Sequence, residues 1–177
     1  MRPTGSLAAC FALAMMTAAT AAAQTVSLPD TSVTTTLTAT VSEQATITVP
    51  GNISFNVTNI TASTTATASV SVSNIVLANA TKQLKVSLQA DAASFTPPVV
   101  GAATWAPGDV SWNAATWTNA TGASGTLSSG AYTAVSTCAA DAASCSTNDL
   151  TFTLAANAAV KRSGNHTLVV RWKVEAI

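Results

Sequence analysis

From Val33 to Val174 the chain alternates apolar and polar residues with a period of two, the pattern of strands that bury one face. In SVTTTLTATV, residues 32–41, Val33, Thr35, Leu37, Ala39 and Val41 share one face and Thr34, Thr36, Thr38 and Thr40 the other. Ile47 and Val49 continue the pattern, and Ile53, Phe55 and Val57 resume it after the turn signal Pro50-Gly51-Asn52. A longer row of Ala66, Ala68, Val70 and Val72 slips in phase at Asn74 before Ile75 and Leu77, which predicts a bulge or a change of sheet. Further rows follow at Leu84, Val86 and Leu88, around Tyr132 and Val135, at Leu150, Phe152 and Leu154, and at Leu168, Val170, Trp172 and Val174. Pro97-Pro98 opens a loop-rich, Trp-containing stretch over residues 97–125, broken again by Pro107-Gly108-Asp109 and by Gly122 and Gly125. No helical period stands out, and residues 155–160 have room for one helical turn.

Eight or nine short strands, each with one polar face, predict an all-β fold. The expected architecture is a single immunoglobulin-like antiparallel sandwich over residues 24–177, with a closed barrel as the second choice.

The first residues change the picture of where the protein works. MRPTGS, the apolar run Leu7–Met16, and Ala21 and Ala23 in A-x-A positions read as a secretory signal peptide over residues 1–23, cut before Gln24. The run is too short for a permanent anchor, and nothing later is long and apolar enough to span a bilayer. Cys10 precedes most of the apolar run, whereas a lipidated cysteine follows it, so Cys10 leaves with the leader. The expected destination is the periplasm, the cell surface or the medium. Cys138 and Cys145 then bracket AADAAS, and in an exported chain two cysteines this close predict a loop-closing disulfide.

Charge narrows the function. Only 8% of residues are charged and the formal net charge is zero, so no basic stripe exists for a nucleic acid. The regular recurrence of Val, Ile, Leu, Phe and Trp separates the chain from disordered sequences of similar polarity. Catalysis requires groups that exchange protons or attack; the chain has one histidine, no G-x-S-x-G, no H-E-x-x-H, and carboxylates scattered along its length. The expectation is a protein that is not an enzyme and takes no cofactor or metal. Six Asn-x-Ser/Thr triplets, beginning at Asn52, Asn56, Asn59, Asn79, Asn119 and Asn165, follow from a composition rich in Asn and Thr.

Trp105, Trp112 and Trp117 lie close together in polar, turn-rich sequence. With Tyr132 they raise the alternative of a carbohydrate-binding module, in which exposed rings stack on sugars. Their odd spacings point neighbouring rings to opposite faces of a strand, so core packing is the preferred reading.

The Val33–Val41 row carries no Lys, Pro or bulge, the usual guards of a sheet edge. It must be covered, either by a neighbour in its own sandwich, the preferred reading, or by another molecule through β-augmentation. In the second case Val33, Leu37 and Val41 are the anchors of an assembly strand, and the partner is another copy or another envelope protein. The leader, the Thr/Val/Ala strands, LTFTL at residues 150–154 and the Gly164-led TLVVRWKV resemble secreted bacterial β-sandwiches of the fimbrial-subunit and spore-coat-protein-U kind. That resemblance implies a non-catalytic subunit of a surface or extracellular assembly and transfers no residue role.

Overall fold

The structure is a computed structural model that describes Thr25, Leu28 and residues 33–177; the expected signal peptide lies outside the described residues. The chain divides at Thr40–Val41 into two compact units. The second, Val41–Ile177, is an all-β sandwich.

Its strands are β1 (Gln44–Thr48), β2 (Thr64–Val76), β3 (Leu84–Ala90), β4 (Val110–Trp112), β5 (Ala120–Gly122), β6 (Gly125–Thr126), β7 (Thr133–Cys138), β8 (Cys145–Leu154) and β9 (Val170–Ala176). They form a five-stranded sheet ordered β1-β2-β8-β4-β6 and a four-stranded sheet ordered β5-β7-β3-β9, with every pairing antiparallel. The period-two rows explain the layering. Ala68, Val70 and Val72 of β2 and Leu150, Phe152 and Leu154 of β8 are buried, as are Leu84, Val86 and Leu88 of β3 and Val135 of β7. Their neighbours Thr65, Thr67, Ser69 and Asn148 stay at the surface.

The phase slip at Asn74 is a bulge. Three residues of β1, Gln44 to Thr46, oppose four of β2, Ser73 to Val76, and Asn74 takes φ of 52°, a left-handed geometry that Asn tolerates better than most residues. The expected disulfide joins Cys138, at the end of β7, to Cys145, at the start of β8, with Cα atoms 5.8 Å apart. Because β7 and β8 belong to different sheets, the bond staples the two layers together, and both cysteines are fully buried.

Three expectations are corrected. Residues 33–43 form no strand, and Val33, Leu37 and Val41 are 56%, 92% and 74% exposed. Their alternation is that of a strand, but Val33 and Leu37 precede the compact unit that begins at Val41. Second, the stretch 97–125, expected as a loop-rich insertion, also contributes to both sheets. It supplies a 3-10 turn at Pro107–Asp109 and the strands β4, β5 and β6, which at two or three residues are too short to show a period. Third, residues 155–160 form no helical turn. Asn157 accepts from the Ala159 N–H through its side chain at 3.1 Å and from the Val160 N–H through its carbonyl at 3.1 Å, an Asx-type turn.

Candidate functional site

Trp105, Trp112 and Trp117 are each less than 10% exposed, so the sugar platform is corrected in favour of core packing. Trp112 lies against Phe152 with ring centroids 6.1 Å apart and donates its Nε1–H to Ala123 O at 3.0 Å. Trp105 meets Phe95 and His166 edge-on and donates to Ala155 O at 2.9 Å. Tyr132 alone of the four is substantially exposed, and the Lys173 ammonium lies 5.4 Å from its ring centroid. A flat aromatic surface of several rings is therefore not assembled from these residues.

The feature that the sequence did not announce is a sheet edge left open among the described residues. Strand β9 pairs with β3 on one side and ends the four-stranded sheet on the other. Gln83 and Ile177 exchange N–H···O bonds of 3.1 and 2.9 Å, and the Asp91 N–H donates to Val169 O at 2.9 Å. In an antiparallel ladder the bonded pairs alternate, so Arg171, Lys173 and Glu175 turn their backbone groups toward β3. Val170, Trp172 and Val174 consequently direct their N–H and C=O groups away from it, while their side chains pack against the core.

Across from this edge runs the segment 49–57, which belongs to no strand beyond Thr48. Val49, Ile53, Phe55 and Val57 are half-buried against the core while Asn52, Ser54 and Asn56 are exposed. It behaves like a strand in its side chains and not in its backbone pairing. Between the two lies a groove of about 990 Å³, walled by residues 50–57 on one side and by residues 160–170 and Trp172 on the other. Beneath the half-buried walls sit the closed-off core residues Leu88, Leu127, Phe152 and Leu154.

No family model matches the chain, and no curated protein or solved structure matches it. The geometry carries the reading alone.

At one end of the groove His166 accepts or donates at both ring nitrogens, to Thr104 Oγ1 at 2.8 Å and Arg162 O at 3.2 Å. Among the described residues no three His, Cys, Asp or Glu side chains converge. Two carboxylates are held below the ordinary glutamate range. For Glu43 the cause is first its hydrogen bond from the Lys82 ammonium and then the Ala78 N–H; for Glu175 it is the bond from Lys173 and then that from Lys85. Both are surface ion pairs, and neither faces a reactive partner.

The walls of the groove were legible as apolar rows. What sequence reasoning missed was that Ile53, Phe55 and Val57 would lack a neighbouring strand. A signal existed: that row is bounded by Pro50-Gly51 before and by polar Asn59 after, and it is followed at once by the long β2.

Proposed function

We propose that the protein is an exported, non-catalytic structural subunit of a surface assembly, joined copy to copy when residues 33–41 of one copy fill the groove of the next. The observation that carries this reading is the match between an exposed strand-like segment outside both sheets and a groove with a sheet edge unpaired among the described residues. Nine residues in extended form reach about 30 Å, the scale of the wall formed by residues 50–57. Val33, Leu37 and Val41 would cover the half-buried Phe55, Val57 and Trp172, and the backbone of the segment would satisfy the free groups of Val170, Trp172 and Val174. The buried disulfide is consistent with an oxidising, exported setting. No helix among the described residues is long and apolar enough to cross a membrane.

Sizing of the chain 24–177 and of a form lacking residues 24–41 tests the proposal. The longer form should associate with rising concentration, and the truncated form should stay monomeric and bind a peptide of residues 33–41. Two forms that both remain monomeric at high concentration would overturn it.

A further inference from the structure

The ends of the sandwich differ in a way that the strand-donation reading, on which this inference rests, does not itself require. Strand β1 starts beside the end of β2, with Gln44 opposite Val76, and β8 starts at Cys145 opposite Val72. The chain therefore enters the sandwich at the end that holds the disulfide and residues 139–144. Residues 160–168 lie at the other end, where Asn157 bonds Ile60 and Thr96 pairs with Thr167. The groove is walled mostly by that second end. A strand that leaves one copy at its disulfide end and runs antiparallel to β9 of another therefore brings the donor's disulfide end against the acceptor's groove end.

The charges of the described residues sort along the same axis. Lys82, Lys85, Arg171 and Lys173 are ion-paired with Glu43, Glu175 and Asp91. Asp109 accepts from the Ala106 N–H and Asp149 from the Thr147 hydroxyl. Three charged side chains remain without a partner among the described residues: Lys161 and Arg162 at the groove end, and Asp141 at the disulfide end. All three are exposed.

Their surroundings match as well. Beside the basic pair, Pro98 packs against Gly164, so closely that a Cβ on that glycine would lie 2.7 Å from the Pro98 Cβ. The turn closed by the Ala102 N–H on Val99 O lifts Val99 and Val100 to 55% and 100% exposure. Asp141, with φ of 57°, is presented on the short turn closed by the disulfide, among the exposed Ala139, Ala140 and Ala143.

We infer that the bodies of successive copies dock end to end, with Lys161, Arg162, Val99 and Val100 of the acceptor seated on the Asp141 loop of the copy that donates its strand. Such a contact is heterologous, so it propagates in one direction and forms open chains. Rim charges of this kind act chiefly on the rate of association.

The test is stopped-flow light scattering on the chain 24–177 at low salt, with K161E/R162E, with D141K and with the three changes combined. Each charge reversal should slow association about tenfold, the combination should recover most of the rate, and the differences should shrink at about 1 M salt, where screening is nearly complete. In parallel, the uncharged peptide of residues 33–41 is titrated into truncated protein bearing K161E/R162E, and it should bind as it does to the unmodified truncated form. Unchanged association rates alongside normal peptide binding overturn the end-to-end contact and leave strand donation standing. A slowed rate that D141K fails to rescue also overturns it. Absence of both association and peptide binding overturns the two readings together.

Discussion

Leu37→Ala separates the demands of folding from those of assembly. In its own chain Leu37 is 92% exposed, so the sandwich loses no packing when the side chain is truncated. The thermal midpoint of the monomer should stay within the scatter of surface substitutions, about 0.5 kcal/mol. In a second copy the same side chain would move from water onto Phe55, Val57 and Trp172, whose half-buried faces line the groove. Removing its three outer carbons forfeits about 2 kcal/mol of apolar transfer at about 0.8 kcal/mol per carbon. That corresponds to roughly thirty-fold weaker copy-to-copy affinity. Sedimentation over a concentration series reads the affinity, and a thermal melt of dilute protein reads the fold. An unchanged association constant would refute the reasoning, as would a large drop in thermal stability, because the second result would place Leu37 in the core of its own chain.

Other consequences follow from the interior and the surface. Ser136 is fully buried, and among the described residues its hydroxyl has no hydrogen-bond partner. Ser136→Ala removes an unsatisfied polar group, so it should raise stability in denaturant titration by about 1 kcal/mol. Replacing both Cys138 and Cys145 by alanine frees the loop of the unfolded chain and should lower stability by about 2.5 kcal/mol, read as a lower denaturant midpoint. Gly125 has Trp112 so close that a Cβ there would lie 2.5 Å from its ring; Gly125→Ala forces the Trp112 side chain to move and should cost about 1–3 kcal/mol in the same titration. Glu43 and Glu175 have folded pKa values below their unfolded ones, so their contribution is complete above the ordinary glutamate value of about 4.3 and fades as pH falls through the lowered folded values. Melting temperatures recorded against pH should therefore fall less steeply below that value in Glu175→Gln than in the unmodified protein.

Particular elements show how far the sequence could be read. The β3 row Leu84, Val86 and Leu88, the β8 row Leu150, Phe152 and Leu154, and the bulge at Asn74 were all visible as alternation and its interruption, because each is a local property of a strand. The disulfide was visible from a spacing of seven residues in a chain whose first residues read as an export signal. Trp105 and Trp112 were harder, because a tryptophan in turn-rich sequence is equally compatible with a ligand surface and with a core. Burial was decided by β4 pairing with β8, which carries Trp112 onto Phe152. The end-to-end distribution of Lys161, Arg162 and Asp141 was invisible, since residues far apart in sequence become opposite ends only once strand order is known.

The alternation by itself determined that this polypeptide forms strands, which side of each strand is apolar, and that Val33 to Val41 is strand-like. It did not determine which strands become neighbours. Pairing is a long-range property, set by the closing of two layers around one core. That packing left β9 with an open edge, gave Ile53, Phe55 and Val57 an inner face without a ladder, and left Leu37 in water. A segment that looks the same in one dimension is thus core, groove wall or exposed strand according to what the rest of the chain places beside it, because a strand buries its apolar face only where a second layer exists to receive it.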